Sequence, residues 1–278
     1  MDLLKKTLEL CQMYNIKPSK SKGQNFLINE DIYDKIIDTA QLEPGDTVLE
    51  VGPGLGFLTF KLSQKAKKVL AVEVDTKIVE ALQTIIKAQK IKNVKVFHND
   101  ILKAKGENFS KIGSYKIVSN LPYNITSIFL RKFLSLENKP ESITLMLQKE
   151  VAQRIVSNPP DMSLLSASVK FYAQAEIIFE VGRENFYPSP AVDSAVIKIT
   201  PIKNRLADYE EEKKFFSILK IGFSAKRKML KNNLSTGLKM KVADVENIFL
   251  KLGFDSKIRA EQLNIEDWLK IHKELNKK

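Results

Sequence analysis

Asn120-Leu121-Pro122-Tyr123 carries the residue types needed to handle a flat base bearing an exocyclic amine. The Asn side-chain oxygen and the Leu121 carbonyl can both accept hydrogen bonds from an NH2 group. Tyr123 can lie against the face of the base. Adenine's amine is a poor nucleophile because its lone pair is delocalised into the ring. Two acceptors holding its protons favour a more pyramidal nitrogen, whose lone pair can point at an electrophile. The stretch follows an apolar run, Tyr115 to Ser119, that reads as a buried strand. The same four residues also suit a plain strand-to-turn junction, with Pro122 ending the strand and Tyr123 in the core.

A second constellation, Glu50-Val51-Gly52-Pro53-Gly54-Leu55-Gly56, lies between a predicted strand and a predicted helix. Ligands bind at this edge of an open α/β sheet. The spacing discriminates between ligands. A dinucleotide loop beginning at Gly52 needs a small residue at position 57, which is Phe57. The third glycine instead falls at Gly56, and Pro53 removes an N–H that a pyrophosphate would use. A G-x-G-x-G loop preceded by an acid is similar to the nucleotide loop of S-adenosylmethionine-dependent methyltransferases. Glu73 ends the next strand, about 20 residues past the glycines, where a carboxylate can accept from both ribose hydroxyls. Asp100 ends the third strand and is placed to accept from the cofactor's adenine amine. Taken singly, either acid could be a turn residue or a helix cap. Their order along the chain favours the methyltransferase.

The elements that must position these residues alternate. Strands are predicted at Thr47–Val51, Val69–Val74, Val94–Phe97, Lys116–Ser119 and Ile143–Leu147. Helices are predicted at Gly56–Lys65, from Thr76 to about Lys90, at Thr126–Leu136, and from Lys149 to about Val156. Asn29 is predicted to cap a helix running to about Ala40. This order implies an α/β protein with a parallel, doubly wound Rossmann-like sheet. Ser168–Val181 and Ala195–Thr200 read as β-rich runs that suit an antiparallel edge. From Asp208 the segments are helical and charged, with Phe215, Phe216, Leu219 and Phe223 on one stripe and Gly253 as a helix stop. Two domains are expected: residues 1–203, with a basic N-terminal segment 1–28, and a helical domain at 204–278.

Composition narrows the partners. The 278 residues include 45 Lys+Arg against 33 Asp+Glu, a net charge of +12 that attracts polyanions, nucleic acid first. Mean hydropathy is -0.19, and no apolar run approaches the roughly 20 residues of a membrane helix. The N-terminus lacks the uninterrupted apolar segment of a secretory signal. Cys11 is the only cysteine, which fits a reducing cytoplasm, and His98 and His272 are the only histidines, so zinc spacing is absent. No metal is expected.

The chain resembles the ribosomal RNA adenine N6,N6-dimethyltransferases, most of all the bacterial small-subunit enzymes. The segments that carry this resemblance are Gly23 to Leu27, Glu50 to Gly56, Asn120 to Ile125, Gln148 to Val151, Phe186 to Ser194 and Arg259 to Leu263. The resemblance implies that Asn25 and Leu27 close over S-adenosylmethionine, with Gly52 and Gly54 in its loop. It implies that Gly52, Glu73 and Asp100 hold its amino acid end, ribose and adenine, with Asn120 nearby. Asn120, Leu121, Pro122 and Tyr123 would hold the target amine. Tyr123 and Phe186 would stack on a flipped base; taken alone Phe186 suits core packing, but the adjoining Pro188-Ser189-Pro190 run favours a rigid surface loop that presents the ring to a ligand. RNA contacts are expected from Lys17, Lys20, Lys22, Lys149, Arg154, Lys226, Arg227, Lys228 and Lys231. The implied enzyme is a cytoplasmic monomer that dimethylates two adjacent adenosines near the 3′ end of small-subunit RNA in a 30S precursor, during ribosome biogenesis. An erythromycin-resistance-type methyltransferase acting on the large subunit, and a non-catalytic assembly factor, are the alternatives. One departure stands out: Met162-Ser163 occupies the place where many relatives carry Tyr-Gly.

Overall fold

The computed structural model describes residues 2–18, 24–104, 109, 111–203, 206 and 208–277. Lys20, Lys22 and Gly23 therefore lie outside the described residues. The chain divides into two units, one of residues 1–152 with 175–201 and one of 153–174 with 202–278.

In the first unit, helix α1 (Leu3–Met13) starts at Asp2, whose side chain accepts from the Lys5 N–H. The short strand β1 (Phe26–Leu27) leads into α2 (Glu30–Ala40), where the Asn29 side chain caps the Asp31 N–H as predicted. There follow β2 (Thr47–Val51), α3 (Phe57–Lys65), β3 (Lys68–Glu73), α4 (Thr76–Ala88), β4 (Val94–His98) and β5 (Lys116–Asn120). A single 3-10 turn, Tyr123–Ile125, opens α5 (Thr126–Leu134), which leads to β6 (Ile143–Gln148) and α6 (Lys149–Val156). After α7 (Leu164–Tyr172) come β7 (Ala173–Val181), β8 (Phe186–Tyr187) and β9 (Ser194–Pro201).

The sheet has seven strands in the order β4-β3-β2-β5-β6-β9-β7. Strands β2 to β6 pair in parallel, and β9 runs antiparallel to β6 with Ile143 opposite Ile199. The apolar strand runs follow from this layering, because a parallel strand covered on both faces has no polar side. The order reverses between β2 and β5. In a doubly wound sheet that switch point opens a crevice at the carboxyl ends of the two strands. Gly52 and Asn120 stand at those ends. The Ser119 hydroxyl ties the strands together there, donating to the Val51 carbonyl at 2.5 Å.

The second unit is helical: α7, then α8 (Tyr209–Gly222), α9 (Leu230–Leu238), α10 (Val242–Leu252) and α11 (Ile265–Leu275). A linear cut at 203/204 is therefore incomplete, because residues 153–174 belong here too. The reading of Ser168–Val181 as wholly β-rich is also corrected, since helix α7 continues to Tyr172. Both corrections have one cause. Phe171 stacks on Phe215 at 4.7 Å between ring centroids and meets Phe216 edge-on at 5.0 Å, and helical backbone brings it there. The Met162-Ser163 departure has a structural role. Ser163 and Ser166 form a reciprocal cap at the start of α7, and buried Met162 donates its N–H to the Glu261 carbonyl. Gly253 ends α10 as predicted.

Candidate active site

The loop after β2 turns through three glycines at positive φ: Gly52 (+67°), Gly54 (+54°) and Gly56 (+85°). All three are also constrained by close approach: a Cβ on Gly54 would lie 3.2 Å from the Phe26 ring. A Cβ on Gly56 would collide with Leu82 of α4, so α3 can begin there only without a side chain. A Cβ on Gly52 would lie 3.3 Å from Pro122 Cδ. That proximity places the glycine loop against the Asn120–Tyr123 turn.

Both segments line one pocket, together with Asn25, Phe26, Leu27, Tyr33, Glu50 and Glu73. A second recess adjoins it and shares Gly52, Glu73, Val74 and Pro122. Asp100, Ile101 and Ile125 lie on its far side. Gly52, Gly54, Glu73, Asp100 and Asn120, separated widely in sequence, thus line two adjoining recesses that form one crevice at the strand ends. The N-terminal segment reaches it because β1 pairs with β8, with Phe26 opposite Tyr187 and Leu27 opposite Phe186. The Tyr33 hydroxyl anchors this corner by donating to the Leu27 carbonyl at 3.0 Å.

Asn120 is half-buried, and its carboxamide makes no hydrogen bond among the described residues. The Leu121 N–H is spent on the Met146 carbonyl at 3.1 Å, which fixes the turn's backbone. The half-buried Tyr123 ring is held at its far end by a 2.7 Å hydrogen bond between its hydroxyl and that of Ser194, which is fully buried on β9. Burial pushes the Tyr123 phenol above its ordinary value, against the pull of Ser194.

One placement corrects an expectation. Phe186 is only 3% exposed and joins the core instead of presenting its ring to a ligand. The pairing of β8 with β1 turns that ring inward, and its neighbour Tyr187 stays half-exposed.

Two carboxyls are sealed into the crevice. Glu73 is 6% exposed, and its Oε1 accepts from the N–H groups of Val74 (2.8 Å) and Asp75 (2.9 Å). Burial raises its pKa against the pull of those amides. Glu50 is 1% exposed, and its Oε2 has no partner. Burial pushes it up to about 8, with the neighbouring Glu73 acting in the same direction and Thr59 opposing. Among the residues lining the pocket, Glu50 was legible only as the acid before the glycines. An acid within Thr47-Val48-Leu49-Glu50-Val51 was the available sign that it would be buried.

A pH dependence follows. Unfolded, Glu50 titrates near about 4.3. Folded, it holds its proton up to about 8. Between those values the native state binds more protons than the unfolded chain, so stability falls as pH rises. The thermal midpoint of the cofactor-free protein should therefore drop from pH 5 to pH 8.5. Glu50→Gln should flatten that slope. An unchanged slope in the variant would assign the effect to another group.

The crevice fits S-adenosylmethionine: the glycine loop admits close approach, and the acidic side chain of Glu73, with acceptor capacity left beyond its two amide bonds, faces a ligand rich in donors. Fold and site together define a Rossmann-like, S-adenosylmethionine-dependent methyltransferase. The family model "Ribosomal RNA adenine dimethylase" matches residues 15–277, and the chain belongs to that family. It is 41% identical over 270 residues to a ribosomal RNA small subunit methyltransferase A of Dehalococcoides mccartyi, covering 97% of this chain and 92% of the relative. Among solved structures it is similar to a dimethyladenosine transferase from Plasmodium falciparum, with a TM-score of 0.77 and 28% identity over 91% of this chain and 98% of that one. The 23S rRNA methyltransferase ErmE matches with a TM-score of 0.72 and 25% identity, over 91% of this chain and 100% of that one. The chain is an enzyme, a ribosomal RNA adenine dimethyltransferase.

Among the described residues, the basic side chains divide by partner. Lys149 pairs with Glu180 at 2.6 Å, and Lys231 with Glu246 at 2.5 Å. Lys226, Arg227 and Lys228 are exposed in the turn between α8 and α9, and Arg154 and Lys17 are also exposed. No helix among the described residues is long and apolar enough to cross a membrane.

Proposed function

We propose that this protein dimethylates the N6 amines of two adjacent adenosines near the 3′ end of small-subunit ribosomal RNA, within a precursor particle. The observation that carries the chemistry is the Asn120–Tyr123 turn lining the same pocket as the glycine loop. The small-subunit assignment is supported by the likeness to the Dehalococcoides enzyme.

S-adenosylmethionine supplies an activated methyl on a sulfonium. Glu73 accepts from the ribose hydroxyls and Asp100 from the adenine amine, Gly52 holds the amino acid end, and Asn25 and Leu27 close over the donor. Asn120 Oδ1 and the Leu121 carbonyl take the two protons of the target amine and aim its lone pair. Tyr123, braced by Ser194, supports the face of the base, which leaves its stack at a cost of a few kcal/mol. Phe186 stays in the core beside Leu27. No basic side chain of low pKa is required, since the nitrogen sheds its proton readily once alkylated. Positioning and electrostatics carry the rate.

The second, helical unit and the basic N-terminal segment hold the RNA. Lys226, Arg227 and Lys228 have no acidic partner among the described residues and are the foremost candidates to meet phosphate, followed by exposed Arg154. Lys149 would first have to leave Glu180. Every phosphate that the protein no longer neutralises should lower the slope of log affinity against log salt by about 0.7–0.9. A triple Ala replacement at 226–228 should therefore weaken RNA binding and reduce that slope, as read by filter binding. Unchanged affinity at every salt concentration would remove these residues from the interface.

The likeness to ErmE supports a second reading, with a large-subunit adenine as target. Methyl transfer to unmethylated 30S particles and to protein-free 23S RNA, mapped by mass spectrometry, separates the two. Dimethyladenosine only in the 23S product would overturn the small-subunit proposal.

A further inference from the structure

Lys132 lies on α5, the helix that begins at the Asn120–Tyr123 turn. Its ammonium donates to the backbone carbonyls of Ile101 (3.0 Å), Leu102 (2.8 Å) and Ala104. An ammonium has three donors and no acceptor, so these bonds use its full capacity. The loop that it grips starts at Asp100. Asp100 Oδ1 accepts from the Leu102 N–H at 2.9 Å, and the Asp100 carbonyl accepts from the N–H groups of Lys103 (3.0 Å) and Ala104 (3.2 Å). The segment is thus a single helical turn, with the Asp100 side chain capping its amino end and Lys132 satisfying the carbonyls that such a turn leaves open.

The setting is unlike that of a surface lysine. Burial pushes the Lys132 ammonium below its ordinary value, and the negative charge of Asp100 pulls it back. The Phe109 ring sits 5.8 Å from Nζ and packs edge-on against Phe133, the next residue of α5. The Asp100 carboxylate, meanwhile, is 34% exposed and lines the crevice with Glu73 and Pro122. One of its oxygens is committed to the turn; the other, Oδ2, lies 4.0 Å from the exposed Lys103 ammonium, a weak solvated pairing that a ligand amine can displace.

We infer that Lys132 is a positioning residue for the methyl donor. It fixes the 100–104 turn so that Asp100 Oδ2 meets the exocyclic amine of the donor's adenine, and it ties that contact to the helix headed by the target-amine turn. The inference rests on the role given to Asp100 above.

The test is selectivity between two probes. S-adenosylhomocysteine and its analogue lacking the purine 6-amino group are titrated into each protein by calorimetry. The wild type should prefer the amino compound by about tenfold or more, the value of one hydrogen bond to a charged acceptor. Asp100→Ala should bring the ratio close to one. Lys132→Met should bring it down to about threefold or less, and Lys132→Arg, which keeps several donors, should restore it. If the Met variant does not fold, Lys132→Leu, which also lacks donors, supplies the same ratio. A Lys132 variant that weakens both probes equally, with the wild-type ratio intact while Asp100→Ala loses it, would overturn the inference and leave a purely structural lysine. A wild-type ratio in Asp100→Ala would instead remove Asp100 as the adenine acceptor, and the Lys132 inference with it.

Discussion

Asn120→Ala should lower kcat by roughly 10²–10³-fold, the scale seen when one preorganised polar group is removed from a reacting centre. The group is available: its carboxamide is unpaired among the described residues and lines the pocket shared with the glycine loop. The loss should be incomplete, because the Leu121 carbonyl remains, held in register by its own N–H on Met146. Stability should change by less than about 1 kcal/mol, since that side chain has no intramolecular bond to give up. Affinity for S-adenosylhomocysteine should fall far less than kcat, which separates an amine clamp from a group that mainly binds cofactor. Single-turnover methylation, alongside calorimetry and a melting curve, measures all three quantities. Full turnover in the variant would remove the proposed clamp. Phe186→Ala is a useful contrast: a core residue at 3% exposure should lose stability before it loses chemistry.

The contrast between Asn120 and Phe186 marks how far the sequence could be read. Strands such as Thr47–Val51 and Lys116–Ser119 were legible because a two-sided parallel sheet demands unbroken apolar runs. The position of Asn120 followed from the strand before it. Asn29 was legible as a cap because that interaction is local. Phe186 was not, because its burial depends on β8 pairing with Phe26–Leu27, far away along the chain. The Pro188–Pro190 run suggested a surface loop, and the inward turn of Phe186 just ahead of it left no local trace. Ser168–Tyr172 misled for a related reason. Val169, Phe171 and Tyr172 favour a strand by type, but the serine cap at Ser163 and the stacking of Phe171 on Phe215 fix a helix. Glu50 was legible as chemistry and not as burial. The acid before the glycines indicates a methyl-donor loop, while its missing partner emerges only once β2 lies inside the sheet. Lys132 left no signal at all, since its carbonyl acceptors become neighbours only in the folded chain.

Glu73→Ala should raise the Kd for S-adenosylmethionine by about 100-fold or more, because two ribose hydroxyls lose a charged acceptor worth roughly 1.5–3 kcal/mol per bond. The side chain is built for this task at a stability cost. Burial raises its pKa, and the Val74 and Asp75 amides oppose that by holding Oε1. A carboxylate has about four lone-pair sites, so acceptor capacity remains for the ribose. Its charge also complements the donor's cationic sulfur, an attraction strengthened by the low dielectric of the crevice. Glu73→Gln separates these contributions: it keeps one acceptor and discards the charge, so its affinity should fall between the other two. The Ala variant should fold, since it removes a desolvated carboxyl while freeing two N–H groups at the mouth of the crevice. Calorimetry with S-adenosylhomocysteine and its 2′,3′-dideoxy analogue completes the argument. Wild type should discriminate strongly between the two compounds and Glu73→Ala hardly at all, so equal discrimination in both proteins would place the ribose elsewhere in the crevice.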